Sequence, residues 1–483
     1  MYLGLDIGTS SVKAVLMDGE QRIVASRTAP LEVSRPHPGW SEQDPESWWT
    51  AVVSVLDGLK AEEPQRLAAV RGIGLSGHMH GATLLDAADR VLRPCILWND
   101  GRSAAEAEEL SPAAERITGN IAMPGFTAPK LLWVKNHEPE IFAKVKTVLL
   151  PKDYVRLRLT GGKASEMSDS AGTLWLDTEK RAWSDEMLAL TSLDRSAMPE
   201  LFEGSEATGT LRAELASRWG MAPTVVVAGG GGDNAASGCG VGAVAPGTGF
   251  ISIGTSGVIF VTADRYRANP AGAVHAFCHA VPKTWHQMGV SLSAAGSLDW
   301  LAHVLAAPPG ELTAPLGDVP KGPSSVLFLP YLSGERTPHN DVAIRGAFTG
   351  LDQSHGRNDL VQAVLEGVAF AFKDCLDVLT MPLEAPRRLI AVGGGSRSRY
   401  WLSVIATVLD LPIAVPADGD FGAAFGAARL GLVAAEKADP FAVCAPPAIR
   451  ETVEPIPALA EAYAAAHAGY SDLYPALKEA MPR

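Results

Sequence analysis

Short apolar runs broken by polar, glycine-rich turns recur along the chain, and two of them are near copies. Ile7 to Val12 read I-G-T-S-S-V, and Ile253 to Val258 read I-G-T-S-G-V. M-Y-L-G-L-D leads into the first, G-F-I-S leads into the second, and I-F-V-T leaves it. A strand that enters a G-T-S turn and leaves as another strand predicts a β-hairpin. Later in each half an apolar run ends in a glycine cluster: T-V-V-V-A-G-G-G-G-D-N over Thr224–Asn234 and R-L-I-A-V-G-G-G-S over Arg388–Ser396. Each predicts a strand, a tight turn and a helix. Both landmarks in the same order imply one α/β plan used twice. The turn formers of Gly240–Gly249 mark the boundary, giving domains 1–242 and 243–483. Apolar residues at helical spacing over Arg357–Asp377 and Phe421–Ala434 predict two helices that carry core faces.

Composition narrows this picture. A chain of 483 residues is expected to form two large domains or three smaller ones, at roughly 100–200 residues each. With 47% hydrophobic and 20% charged residues it is globular. The net charge of −13, without a basic run, repels a phosphate backbone and argues against nucleic acid as a partner. Cys95, Cys239, Cys278, Cys375 and Cys444 never form C-x-x-C, which argues against a disulfide framework or a structural zinc site. They read as small core residues of a reducing compartment. The amino terminus lacks a basic lead and carries Asp6, unlike a signal peptide. No apolar stretch reaches the roughly 18 residues that span a bilayer. The expected location is the cytoplasm, with no membrane partner.

The glycine turns suit phosphate. Glycine lets main-chain N–H groups close on phosphate oxygens, and Ser and Thr hydroxyls add donors. Gly8, Thr9 and Ser10 in one half and Gly254, Thr255 and Ser256 in the other are candidates for gripping a triphosphate, with Lys13 as a point charge. Neither the Walker pattern nor the Rossmann G-x-G-x-x-G occurs at these turns, which sets aside two other nucleotide folds. Asp6 and Asp233 supply the remaining chemistry. Phosphoryl transfer needs Mg²⁺ held by one or two carboxylates, and a group to take the acceptor's proton. Asp6, at a strand end near the phosphates, suits the metal; Asp233, on a turn opening a helix, suits the proton, and both are candidate metal ligands. Asp233 is also a natural helix N-cap.

These motifs together resemble the FGGY carbohydrate kinases nearly end to end, and within them the branch that phosphorylates D-xylulose. D-I-G-T-S-S-V-K at Asp6–Lys13 and I-G-T-S-G at Ile253–Gly257 are similar to the two phosphate motifs. G-F-T-A-P-K-L-L-W-V-K-N-H at Gly125–His137 and G-A-F-T-G-L with the helix through Leu365–Glu366 are similar to the two signatures. A-V-G-G-G-S-R-S at Ala391–Ser398 resembles the adenosine motif, which makes Gly393, Gly394 and Gly395 candidates for ATP. G-H-M-H-G, W-N-D-G-R, P-K-D-Y and G-E-R-T-P-H, beginning at Gly77, Trp98, Pro151 and Gly334, mark the branch. The resemblance implies two actin-like (ribonuclease H-like) α/β domains around a catalytic cleft, Mg²⁺·ATP, a sugar acceptor and a homodimer. It also implies Asp233 as proton acceptor, Asp6 in the metal–nucleotide site, and Met79–His80 in sugar binding. Asn234 is a further sugar candidate, while Asp100 and Arg102 fit either sugar contact or an ion pair beneath the sugar loop. A-G-G-G-G-D-N is one glycine longer than the family's usual loop. Ribulose or glycerol as acceptor, and an actin- or Hsp70-like ATPase, are the competing readings.

Overall fold

A computed structural model describes residues 1–379, 386–417 and 421–481; the last two residues of the expected second domain lie outside them. The first sheet runs in the spatial order 207–210, 226–228, 72–77, 2–7, 11–17, 23–30. Strand Tyr2–Ile7 folds back antiparallel on Ser11–Met17, which pairs antiparallel with Ile23–Pro30. On its other side lies Gly72–Gly77, parallel, followed by Val226–Ala228, parallel, and Ala207–Thr210, antiparallel.

The second sheet repeats this order and every sense of pairing. Gly249–Ile253 folds back on Gly257–Ala263, which pairs antiparallel with Trp285–Ser291. Across the other edge come Leu389–Val392 and Ile413–Pro416, both parallel, then Ile449–Val453, antiparallel. One further strand, His275–Cys278, extends the sheet beside Trp285–Ser291. The actin-like plan is therefore present twice, and the hairpins occupy equivalent places. The second landmark of the repeat is corrected, however. Leu389–Val392 lies beside the hairpin, so its equivalent is Gly72–Gly77, and Val226–Ala228 is equivalent to Ile413–Pro416. A glycine cluster after an apolar run marks the end of any strand whose next turn is tight, so it did not identify which strand.

Both predicted helices form, over Arg357–Val378 and Ala423–Glu436. The first buries Val361, Val364, Leu365, Val368 and Phe372 under the second sheet, at i, i+3, i+4 spacing. The second crosses between domains. Although it belongs to the repeat that contains the second sheet, it lies on the first one, and the strands beneath it carry glycines where it touches. A Cβ on Gly4 would lie 1.8 Å from the Ala424 carbonyl oxygen, one on Gly74 1.8 Å from that of Ala427, and one on Gly72 2.1 Å from that of Gly431. The same helix meets its structural equivalent, Asp233–Val241, as closely: a Cβ on Gly426 would lie 1.7 Å from the Ala236 oxygen.

Residues 104–190 add a helical lobe to the first domain, with its own apolar core around Leu131, Trp175 and Met187. This lobe docks on the second sheet: Asn120 exchanges two hydrogen bonds with the main chain of Ala276, and the Trp285 indole donates to the Thr178 carbonyl. All five cysteines are buried and free. Among the described residues no helix is long and apolar enough to cross a membrane.

The crossing helix makes a direct prediction. Gly74→Val should cost about 3 kcal/mol of stability, the upper end for overpacking, read from the urea midpoint. Gly19→Ala, which meets nothing within 4 Å, should stay within about 0.5 kcal/mol of the parent.

Candidate active site

The first hairpin places Asp6 one residue from the end of Tyr2–Ile7, where it pairs with Lys13 across the hairpin and with Ser76 on the parallel neighbour. Its Oδ1 is buried without a hydrogen-bond partner. Burial pushes the carboxyl above its ordinary value, while Ser76 and Lys13 pull the other way. The Lys13 ammonium is itself lowered by burial, against the pull of Asp6.

Asp233 arrives beside this strand end by an irregular route. Val226–Val227 pair with Gly72–Ile73, whereas Gly231–Gly232 pair with Ser76–Gly77. From Val227 to Gly231 is four steps and from Ile73 to Ser76 is three, so one residue bulges out between the two stretches. The bulge is at Gly229–Gly230, where Gly230 has φ 84° and a Cβ would lie 2.1 Å from the Leu75 oxygen. Past this bulge Asp233 reaches the end of the strand that neighbours Asp6. Gly232, not Asp233, is the N-cap residue of helix Asp233–Val241. The Asp233 carboxylate therefore does not cap; its Oδ1 accepts from the Asn234 main-chain N–H (2.7 Å) and from Asn234 Nδ2 (2.9 Å). Burial first, and then the nearby charge of Asp6, push this carboxyl up to about 6 against the pull of the Asn234 bonds. Two like charges that feel each other in a desolvated place favour a shared cation or proton.

The segment Gly77–Gly81 follows Ser76 directly. Met79 is buried under the Asp233 loop, with Cγ and Sδ 3.0 Å from where a Gly232 Cβ would stand. His80 takes φ 71°, a conformation that side chains rarely adopt and that must be held from outside. Three groups hold it. Its Nδ1 donates to the Gly172 carbonyl at 2.7 Å, its ring stacks on Phe126 at 4.2 Å, and its own carbonyl accepts from Lys130 Nζ (3.0 Å) and Thr127 Oγ1 (3.1 Å). Burial first, then the Lys130 charge, keeps the imidazole well below its usual range, so it is neutral and Nε2 is an acceptor. Lys130 went unnoticed in the sequence, although a lysine inside the apolar stretch A-P-K-L-L-W was the signal. Burial pulls its ammonium down to about 7.

Asp100 and Arg102 are a buried ion pair. Arg102 donates to Asp100 from its main-chain N–H (3.0 Å), Nε (2.9 Å) and Nη2 (2.7 Å), and Asp100 also accepts from the Ser41 N–H at 2.6 Å. Arg102 Nη1 lies 2.7 Å from Glu42, and the guanidinium covers Trp40 at 3.5 Å. Their side chains are 0–1% exposed, the arrangement of an ion pair beneath the sugar loop. From the same segment, the half-exposed Trp98 donates its indole N–H to Thr9 Oγ1 at 3.0 Å, tying this loop to the first phosphate turn.

The turns differ in how they are held. Gly8 N–H closes on the Ser11 carbonyl at 3.0 Å and leaves Ser10 exposed. Gly254 N–H closes on the Ser256 carbonyl at 3.2 Å, and Thr255 and Ser256 are exposed. The amide N–H groups of Ala294, Ala295 and Gly296 donate back to Thr255 and Gly254. Gly393, with φ 88°, presses on the strand that leads into this second turn: its Cβ would lie 2.8 Å from the Ile253 carbonyl. Gly394 faces open space, and Gly395 packs on Ile253 and Trp401. A cavity of about 660 Å³ opens here, lined by Gly394, Gly395, Leu298, Thr313 and Tyr400 among others. Its size and mixed polar and apolar walls suit a nucleoside. Among the described residues no group of three or more His, Cys, Asp or Glu side chains is gathered around one point. Asp6 and Asp233 alone fit a Mg²⁺ that keeps its waters and phosphate ligands better than one caged by protein.

Comparison with known proteins shows the family. Residues 1–240 match the N-terminal domain of the FGGY family of carbohydrate kinases, and residues 249–435 match its C-terminal domain. The chain is 52% identical over 440 residues to the xylulose kinases of Klebsiella pneumoniae and Escherichia coli K12, covering 90% of each chain. The crystal structure of a kinase from Brucella ovis, described as a xyloylose kinase, superposes with a TM-score of 0.98 at 59% identity, over 99% of this chain and 100% of that one. The xylulose kinase of Rhodospirillum rubrum follows at 0.91 and 33%, over 99% of both. A doubled actin-like sheet, a paired-aspartate strand end and both family domains in register place the chain in the FGGY family of carbohydrate kinases.

Proposed function

We propose that the chain transfers the γ-phosphate of ATP to the terminal hydroxyl of D-xylulose, giving the 5-phosphate. One observation carries the reading: two carboxyls from different segments meet at adjoining strand ends, and one of them, Asp233, is desolvated enough to sit near 6. A carboxylate of that basicity is mostly ionised at neutral pH yet takes a proton more readily than an exposed aspartate. It accepts a hydrogen bond from the sugar hydroxyl and receives the proton as the new P–O bond forms, while the bond to the leaving ADP breaks.

Around this pair the other residues divide the work. Asn234 holds one oxygen of Asp233 and so leaves the other for the acceptor. His80 Nε2 accepts from a sugar hydroxyl, and Met79 closes the pocket wall under Asp233. Gly8, Thr9, Ser10 and Lys13 on one side, and Gly254, Thr255 and Ser256 on the other, supply donors to the phosphate oxygens. Gly394 and Gly395 line the adenosine cavity, and Gly393 sets the turn behind them against Ile253. Asp6, with Asp233 beside it, would hold Mg²⁺, which would supply positive charge to the phosphate oxygens. The relatives named as xylulose kinases supply the choice of sugar.

Three measurements test the reading. With ATP and magnesium, ADP release over a panel of D-xylulose, D-ribulose, glycerol and no sugar should be fastest by far with D-xylulose; turnover indifferent to every sugar removes the kinase assignment. Asp233→Ala should lower kcat by at least about 10²-fold while ADP affinity is kept. Because Asp233 must be ionised to act, kcat/KM should fall about tenfold per pH unit below about 6 and level off above it. A profile flat down to pH 5 would exclude Asp233 as the base.

A further inference from the structure

Behind the Asp233 loop the first domain buries a cluster of charges that the proposed chemistry does not use. Lys152 Nζ lies 2.8 Å from Asp153 Oδ1, 3.3 Å from Asp169 Oδ2 and 3.4 Å from Glu166 Oε1, with every side chain at 0–1% exposure. Taking such a cluster out of water is costly, and apolar side chains of the same volume often do as well for stability. Its geometry shows what it organises. Glu166 caps helix Met167–Ala171: Oε2 accepts from the Ser168 N–H at 2.7 Å, and Oε1 accepts from the Asp169 N–H at 2.8 Å and from Ser168 Oγ at 3.0 Å. With its proton committed to Glu166, the Ser168 oxygen turns its lone pairs outward. There it accepts the Gly232 N–H at 3.0 Å.

Gly232 is the residue before Asp233; the loop behind it is held by main-chain bonds from the Gly229 N–H to Glu206 (2.9 Å) and from the Gly230 N–H to Gly204 (2.8 Å), and Ser168 takes the last N–H before the carboxylate. Gly231 and Gly232 carry no side chain to pack, and their backbone is freer than any other residue's. They follow a bulge and re-pair with Ser76–Gly77 over only two residues. Lys152 also backs the far side of that short pairing, its Cβ standing 3.1 Å from where a Gly77 Cβ would be. We propose that Ser168, oriented by Glu166 within the Lys152 cluster, is a positioning residue for Asp233: by taking the Gly232 N–H it fixes the direction from which the carboxylate meets the acceptor hydroxyl. This inference rests on the reading of Asp233 as proton acceptor.

The chemistry has a distinct signature. A carboxylate displaced by about 1 Å loses on the order of 10²-fold in rate, and Ser168 does not line the adenosine cavity. Ser168→Ala should therefore lower kcat by about 10- to 100-fold with the KM for sugar and for ATP within about twofold of the parent. Added to Asp233→Asn, measured by single-turnover product formation, it should cause no loss beyond about twofold, because its effect passes through the group already removed. A Ser168→Ala enzyme with parental kcat, one whose loss appears equally in both KM values, one that unfolds at the assay temperature, or one fully additive with Asp233→Asn overturns the positioning role. Asp233→Asn with near-parental kcat would instead overturn the base assignment beneath it, so the two failures are told apart.

Discussion

A main-chain carbonyl cannot share space with a methyl group, and this exclusion ties the two halves of the molecule together. Helix Ala423–Glu436, which belongs by topology to the second repeat, lies so low on the first sheet that its carbonyls occupy the sites of the missing β-carbons of Gly4, Gly72 and Gly74. The strands it presses on are the same two that end in Asp6 and in Ser76–Gly77. At its amino-terminal end it meets helix Asp233–Val241 through Gly426 and Ala236. The seating of one helix thus bears on both strands beneath the paired carboxyls and on the helix that Asp233 opens, with no side chain in between to absorb error.

On that rigid base the site works by desolvation. Burial is the largest influence on Asp6, Asp233, His80 and Lys130 alike, and in each case it disfavours the charged form. The consequence differs with the partner. His80 is neutral and offers an acceptor; Asp233, held by Asn234 against Asp6, stays poised to take a proton. Asp100 and Arg102 show the opposite solution: each charge is met by the other, with Glu42 and the Ser41 N–H completing the pair.

Much of this was legible in the residues. The two G-T-S turns announced their hairpins because a short polar turn between apolar runs has few other uses, and Asp6 stood out because aspartate is disfavoured inside an apolar strand. The helices over 357–377 and 421–434 followed from their spacing to within two residues. What escaped was everything set by long-range contact. The glycine cluster at 229–232 and that at 393–395 look alike, yet the first bulges away from Gly72–Gly77 and the second packs on Ile253, and no local pattern distinguishes them. Lys130 lies 50 residues from the carbonyl it holds. The ion pair of Asp100 and Arg102 depends on Trp40, Ser41 and Glu42, which the chain brings in from far upstream.

The crossing helix also has a consequence for how the chain is made. Synthesis delivers the first sheet hundreds of residues before the segment that roofs it, so a nascent amino-terminal domain leaves the ribosome with a smooth, glycine-lined apolar face still bare. That face stays open until Ala423–Glu436 emerges. Maturation of the half that carries both aspartates is therefore deferred until Ala423–Glu436 has been made, and the amino-terminal domain expressed alone lacks its own lid.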